Sequence, residues 1–587
     1  MTLLENLRPL FPYMRRYRRG FLLGGFFAVC SNAIWVLFPE VIRRAIDDMT
    51  RHLSYRGILF YAGILVAVAL SKGVFLFLTR WVLIGISRDI EYDLRNDIFR
   101  VLERQAPSYF QENRTGDIMA RATNDLNAVR MLLGPAIMYS ANTLLFTLGA
   151  LAFMIRISPW LTLLAFVPLP AASILVQYFG RKIHERFERI QAMYSDISAR
   201  VQENVSGVRL VRAFAQEEAE ISAFERANAE YVRRALRLVR LMGMLWPTLE
   251  FMLGLSLVVV LLVGGHEVVN GRISVGAFVA FTTYMVMLTW PVIALGWVVN
   301  LVQRGTASVT RMHEILIAAP SISDATLPPT GAVTTDINGE IEFRNLNFTY
   351  DNSTTPVLRN INLHIPAGSS FAIVGPTGSG KTTLVRLIPR LLEAERDMLR
   401  VDGHSVMDYP LAKLRGSVGF VPQETFLFSD SIRENVAFGA PAATEQEILE
   451  AAATAHIRDE ILEFPKGFDT LVGERGITLS GGQKQRTAIA RAVVRDPRIL
   501  ILDDALSSVD TFTEERILQG LAEAMRGRTT IFISHRVSTV RHADQIAVLV
   551  DGSIVELGTH DELVARNGYY TQLHEKQMLE EELSVVG

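Results

Sequence analysis

The chain has 587 residues, too many for one hydrophobic core, and length alone suggests about three or four domains. Hydrophobic residues make up 49%, and 59 Lys and Arg against 61 Asp and Glu leave a net charge of −2, which gives no electrostatic ground for a nucleic-acid partner. The single cysteine, Cys30, excludes an intrachain disulfide and leaves the redox compartment open.

The N-terminal stretch "NLRPLFPYMRRYRR" is amphipathic and basic. It fits either a helix lying along the inner leaflet or a basic flank that only sets topology. The first apolar stretch is too long for a cleavable signal and has no small-residue cleavage site after it, so it is expected to stay in a membrane. Six apolar runs follow in order, at 20–46, 57–86, 132–156, 158–180, 242–268 and 273–302. Each is long enough to cross a hydrocarbon core of about 30 Å. Arginines crowd 88–131 and 181–241, and "MRRYRR" precedes the first run, whereas the opposite connections are short. The positive-inside rule places both basic loops and both termini in the cytoplasm. "IEYDLRNDIFRVLERQ" and "ISARVQENVSGVRLVRAFAQ" have helical apolar spacing, so the helices are expected to run on beyond the bilayer.

Residues 318–338, rich in Pro, Gly, Ser and Thr, read as a linker. It divides a membrane domain (1–317) from a second domain (339–587) in which strands alternate with helices. That alternation predicts an α/β fold with a largely parallel core sheet. "GPTGSGKTT" (375–383) follows the strand "SSFAIV" and precedes the helical pattern "TLVRLIPRLL". It is a P-loop in its required context. Gly375, Thr377, Gly378, Ser379 and Gly380 bring backbone N–H groups to nucleotide phosphates, Lys381 reaches the β- and γ-phosphates, and Thr382, followed by Thr383, ligates Mg2+. The buried-strand pattern "ILILDD" ends on Asp503, a second magnesium ligand. In "LSGGQKQR" (479–486), Ser480, Gly481, Gly482 and Gln483 open a helix. A second anion-binding helix end in one chain makes sense if it serves another molecule's nucleotide, while an ordinary helix cap fits the same residues.

The Walker loop, "LSGGQ", Asp503–Asp504 and "ISHR" (533–536), in that order, resemble the nucleotide-binding domain of ABC transporters. The membrane half resembles the six-helix domain of ABC exporters, so nearly the whole chain is covered. The resemblance implies ATP and Mg2+ as cofactors, Tyr350 as the aromatic that stacks on adenine, and Gln423 as a magnesium contact that senses the membrane domain. It implies His535 as the switch histidine at the γ-phosphate, and Ser508 and Asp510 in "SSVD" as part of a loop crossing the dimer interface. "VGERG" (472–476) resembles the loop that contacts the intracellular helices. Residues 107–125 and 212–227 resemble the stretches holding the two coupling helices, the second of which docks on the partner in this exporter class.

Asp504 departs from the family pattern, in which Glu follows the Walker B Asp as general base. A side chain one methylene shorter is expected to bind ATP but hydrolyse it slowly, since a displacement of about 1 Å can cost on the order of 10²-fold. With "LSGGQ" intact, the chain resembles the degenerate-site half of a heterodimeric multidrug exporter whose other chain carries the Glu. A homodimer with Asp504 as working base, or an ATP-gated channel on the same fold, is the alternative. The location implied is the cell (inner) membrane. Among charges within the apolar runs, Glu40, Arg43 and Arg44 fall near an outer end, while Lys72 and Glu250 are the candidates for a substrate cavity. Phe77, Trp246, Tyr284 and Trp290 add an aromatic complement suited to amphipathic drugs or lipids.

Overall fold

The computed structural model describes residues 3–51, 54–327, 332–351, 353–473, 476 and 478–586. Packing divides the chain into two units, 1–100 with 116–317 and 101–115 with 318–587.

In the first unit, five helices are long and apolar enough to cross a membrane: Arg18–Arg51, Tyr55–Leu102, Thr115–Ile157, Glu217–Val269 and Val275–Leu316. The 48 residues of Tyr55–Leu102 reach about 70 Å at about 1.5 Å per residue, well over twice the apolar core of a bilayer. The helices therefore extend beyond the membrane, as their amphipathic continuations predict. The run at 158–180, expected as one span, is instead broken into Pro159–Ala165 and Leu169–Ser206. Two prolines, Pro168 and Pro170, supply no N–H at this point, and the chain turns through Phe166–Pro168 with Val167 N–H donating to Leu164 O at 3.2 Å. The helices that follow this break, Leu169–Ser206 and Glu217–Val269, pack along each other, Arg18–Arg51, Ile137–Ile157 and Val275–Leu316 form a second mutually packed group, and Glu217–Val269 also touches Val275–Leu316.

Specific polar contacts fix that group. Ser274 caps the last span, and the carboxylate of Asp47 accepts from Ser274 Oγ at 2.8 Å and Gly276 N at 2.9 Å. A Cβ on Gly276 would lie 2.2 Å from Arg43 O, so only glycine allows this approach. Glu40 is paired with Arg43 at 2.9 Å and Arg44 at 3.3 Å. The Tyr284 hydroxyl donates to Val36 O at 2.6 Å with its ring fully buried, so this aromatic belongs to the bundle packing and not to a cavity wall. Asp125 accepts from Ser308 Oγ and Arg311 Nε, both at 2.8 Å, tying the third span to the last. At the N-terminus, Tyr13 donates to Asp97 at 2.7 Å, and Arg16 and Tyr17 both bond Asp93 at 3.0 Å, fastening the basic entry segment to Tyr55–Leu102.

The second unit holds two sheets. One is antiparallel, in the order β2-β1-β4-β5, with β1 Ile341–Phe348, β2 Leu358–Ile365, β4 Leu399–Val401 and β5 His404–Ser405. The other has the order β10-β9-β3-β8-β7-β6, with β3 Ser370–Val374, β6 Val418–Val421, β7 Ile499–Asp503, β8 Thr529–Ile533, β9 Gln545–Val550 and β10 Ser553–Gly558. In it β9, β3, β8, β7 and β6 are mutually parallel and only β10 is antiparallel. All five residues of β7 are buried, which is why its sequence is an unbroken apolar run. The helix after the P-loop, expected to continue to Leu392, ends at Leu387, because Pro389 cannot continue the hydrogen-bond ladder. The short helix Pro107–Glu112, within the stretch that resembles a coupling segment, packs in this unit.

Candidate nucleotide site

Three adjacent parallel strands build the site. β3 and β7 flank β8, and the register sets Ile533 beside both Ile373 and Asp503. The chain therefore leaves the carboxyl ends of the three strands at one level: through the P-loop after β3, through Asp504 after β7, and through Ser534–His535 after β8. Crevices outside strand carboxyl ends are where open α/β sheets bind ligands.

The P-loop has three residues with left-handed backbone, Gly375 (φ 150°), Gly378 (φ 82°) and Gly380 (φ 101°). At Gly375 a Cβ would come within 2.0 Å of Leu549 O, so the turn is closed to any side chain. At Gly378 a Cβ would meet nothing within 4 Å, and Thr377 beside it is exposed. Lys381 turns back along the loop, its Nζ donating to Gly375 O at 2.9 Å and Pro376 O at 2.8 Å. Burial pulls its ammonium below the usual lysine range, and the Asp504 and Asp503 carboxylates oppose that shift. Ser379 Oγ is buried with no protein partner. The Tyr350 hydroxyl shares a hydrogen bond of 3.0 Å with Thr383 Oγ1, and Phe348 stands edge-on to its ring, with centroids 5.1 Å apart. Beside Tyr350 opens a cavity of about 480 Å3, lined also by Gln111, Glu112 and Leu392.

Thr382 Oγ1 donates to Asp503 Oδ1 at 2.9 Å. Asp503 is fully buried, and among the described residues its second oxygen, Oδ2, has no hydrogen-bond partner. Burial pushes this carboxyl above the ordinary aspartate range, against the pull of Thr382. A hydroxyl and a buried carboxylate with one orphaned oxygen fit a divalent cation. Among the described residues no cluster of three or more His, Cys, Asp and Glu forms a metal cage, so such a cation would need phosphate oxygens and water to complete its shell.

Asp504 also has left-handed backbone (φ 50°), and its N–H donates to Ile533 O at 2.9 Å. Burial raises its carboxyl, while His535, Lys381 and Arg536 and a hydrogen bond from Gln423 act in the opposite direction. Burial and the nearby Lys381 hold His535 below the usual histidine range. Gln423 is exposed and Asp504 half-buried, so this pair lies toward the open side of the crevice.

The loop after β8 is held by one residue outside every sequence motif, Gln577, and by Arg536 of "ISHR". Gln577, on the C-terminal helix Tyr569–Val586, accepts from Val537 N at 2.7 Å and donates through Nε2 to the His535 carbonyl. Its amide thus bridges the loop on both sides of Arg536. Arg536 in turn donates to Val509 O at 3.0 Å, Ser507 O at 3.4 Å and the buried Glu514 at 2.6 Å. The loop 507–510 is gripped from its other side by Gln485, which donates to Ser507 Oγ at 3.0 Å and accepts from Ser508 N at 2.9 Å. Asp510 caps the helix Thr511–Ala524, accepting from Thr513 N at 2.9 Å.

Ser480 caps the helix Gly481–Val493 in a reciprocal box with Gln483, whose N–H donates to Ser480 Oγ at 3.2 Å. Ser480 and Gly481 are exposed, so this helix end faces outward. Gly482 lies over the loop 507–510, where a Cβ would meet Ser508 O at 3.1 Å. In "VGERG", Glu474 and Arg475 lie outside the described residues.

In the membrane unit, Glu250 lines a cavity of about 230 Å3 together with Trp246. Lys72 does not line it; its ammonium sits 4.1 Å over the ring of Trp35. Phe77 and Trp290 are exposed and do not line it either.

A P-loop site at the carboxyl ends of a parallel sheet, joined in one chain to a bundle of membrane-crossing helices, defines a membrane-bound P-loop ATPase. The comparisons agree. The family model "ABC transporter transmembrane region" matches residues 21–292, and the model "ABC transporter" matches 358–507. The chain is 38% identical to an ATP-dependent lipid A-core flippase of Syntrophus aciditrophicus over 581 residues, 99% of this chain and 96% of that one. It is 36% identical to the multidrug resistance-like ATP-binding protein MdlA of Escherichia coli over 576 residues, 97% of this chain and 96% of that one. The solved structure of a bacterial Atm1-family ABC exporter with ATP bound superposes with a TM-score of 0.78 at 27% identity, covering 96% of this chain and 99% of that one. The chain belongs to the ABC transporter family, and its fold is of the exporter type. It is an integral, multi-span membrane protein with its nucleotide-binding domain in the cytoplasm, and an ATP hydrolase coupled to transmembrane transport.

Proposed function

We propose that the chain is one half of an ATP-driven exporter that moves amphipathic compounds out of the cytoplasm or the inner leaflet, residues 1–317 forming the membrane domain, 318–338 the linker and 339–587 the ATPase. Its own Walker site binds ATP through Tyr350, the P-loop and Lys381, with Thr382, Asp503 and Gln423 as the residues that would hold Mg2+. That site turns over slowly, and Ser480, Gly481, Gly482 and Gln483 serve the site of a different chain that carries Glu after its Walker B Asp.

The observation that carries this reading is the backbone at Asp504. For the short carboxylate to reach as far as a Glu, the main chain would have to advance. Its N–H is bonded to Ile533 O at 2.9 Å where the chain leaves β7, and its φ is already 50°, so an advance would break the hydrogen bond that ties this turn to β8. The signature end, in contrast, is exposed, and its capping box occupies only the N–H groups of Ser480 and Gln483, so the N–H groups of Gly481 and Gly482 remain available to a second molecule's phosphate. ATPase and vesicle transport assays on the chain alone and on the chain copurified with its partner test the reading. Slow hydrolysis alone and full transport only in the mixed complex are the expected results; full activity of the chain alone would replace it with a homodimer.

A further inference from the structure

The cavity beside Glu250 lies where the third, fifth and last spans meet the broken fourth helix. Thr147, Phe166, Trp246, Glu250, Met252 and Met285 represent its four walls. The break that separates Pro159–Ala165 from Leu169–Ser206 forms one of these walls, since Ala165, Phe166 and Pro168 all face into it. Broken helices inside a membrane are tolerated where they border a cavity.

Among the described residues Glu250 is the one ionisable group on this lining. Among the described residues it makes no hydrogen bond or ion pair within the chain. The nearest cation on its own helix, Arg240, is ten positions away, about 15 Å along the axis. An unpaired carboxylate within an apolar stretch is costly and is kept where it has a ligand or partner. One turn before it on the same helix face stands Trp246, half exposed at the same cavity. A carboxylate and an indole face together match the chemistry of an organic cation. Met252 and Met285 add flexible, polarizable surface that conforms to different shapes. At about 230 Å3 the cavity is smaller than the 300 Å3 or so at the low end of ligand pockets, so it takes in part of a larger cation, the rest of which lies outside along the exposed Trp246 and Glu250.

We propose that this cavity binds lipophilic cations, with Glu250 as counter-ion and Trp246 as aromatic platform, and that Glu250 discriminates against phosphorylated lipids by like-charge repulsion. The proposal narrows, and rests on, the reading of the chain as an exporter of amphipathic compounds.

The test is equilibrium binding to the purified full-length chain in phosphatidylcholine nanodiscs, with empty discs subtracted. The probes are tetraphenylphosphonium and its anionic counterpart of the same shape, tetraphenylborate. Wild type should bind the cation saturably and prefer it to the anion. Glu250→Gln should weaken the cation about tenfold and leave the anion unweakened, while Glu250→Asp should keep most of the preference. Variants are compared only where Tm equals that of wild type, and Trp246→Phe, which keeps an aromatic face, should bind the cation better than Trp246→Ala. No saturable cation binding, equal cation affinity in Glu250→Gln, or a preference for the anion in wild type overturns the proposal. ATP-driven transport of a neutral amphiphile into sealed vesicles by the chain copurified with its partner keeps the exporter reading even then; its absence counts against that reading.

Discussion

Thr382 and Asp503, 121 residues apart in sequence, meet hydroxyl to carboxylate at 2.9 Å, and the other oxygen of Asp503 is left buried without a partner. An orphaned buried carboxylate oxygen destabilises the resting protein and is useful only when a cation arrives. Asp503→Asn should therefore raise the Tm of the nucleotide-free protein by about 2–4 °C, the shift that corresponds to about 1 kcal/mol in a domain of 150–250 residues. With saturating Mg2+ and ATP the order should reverse, since wild type alone gains the full binding stabilisation. Differential scanning fluorimetry with and without EDTA checks both halves; an unchanged order would remove Asp503 from the metal site.

Tyr350 is half-buried, with its hydroxyl tied to Thr383 in the helix that follows the P-loop. Tyr350→Ala should weaken ATP and ADP alike, by about tenfold or more, because base stacking on an aromatic is worth about 1–3 kcal/mol. Lys381→Ala should weaken ATP more than ADP, since its cation faces the phosphates. Competition against a fluorescent nucleotide measures both, and equal affinities in all three proteins would displace the pocket.

Gln577 touches no P-loop residue, yet its amide holds the backbone on both sides of Arg536. Gln577→Ala should lower kcat several-fold with KM changed less than about twofold, the mark of a residue that orients a group used in the transition state. Gln577→Glu keeps the acceptor for Val537 N and loses the donor to His535, so it should fall between wild type and Ala. Steady-state kinetics on the complex decide; a parallel fall in Tm with kcat would mean a structural role only.

Much of this site was legible because it is local. The strand, glycine turn and lysine of the P-loop are contiguous, and β7 is buried on every residue, so its apolar run announces it. The break at Phe166–Pro168 was marked by two prolines but masked by uniformly apolar neighbours. The role of Gln577 had no signal, since it lies in "HEKQMLEEE", a polar stretch, and its contacts to Val537 and His535 are made across 40 and 42 residues. The identity of Asp504 was plain in sequence; that its N–H is fixed to Ile533 required the β7–β8 pairing.

The helical hairpin of Leu169–Ser206 and Glu217–Val269 carries the short helix Val208–Ala213 at its tip, with Val205, Leu210 and Phe214 exposed. Apolar residues gathered at an exposed tip need a covering partner. Cysteines placed at Ala215 should crosslink to the nucleotide-binding domain of the partner chain. Mass spectrometry of the crosslinked complex identifies the pair, and crosslinks confined to this chain would mean an uncrossed arrangement.

The central claim is that the two motifs of this chain belong to different ATP sites, a slow one at Asp504 and a fast one at Ser480. The direct measurement is steady-state ATPase activity of the complex isolated through a tag on this chain, comparing wild type, Asp504→Asn and Ser480→Arg. Asp504→Asn should retain more than half of the activity, because the carboxylate it removes supports little turnover. Ser480→Arg sets bulk at the helix end that closes on the partner's nucleotide and should abolish more than about nine-tenths of it, since losing one electrostatic contact to the transition state costs about 10²–10³-fold at the affected site. Near-complete loss with Asp504→Asn, in a complex of one kind of chain, would contradict the account.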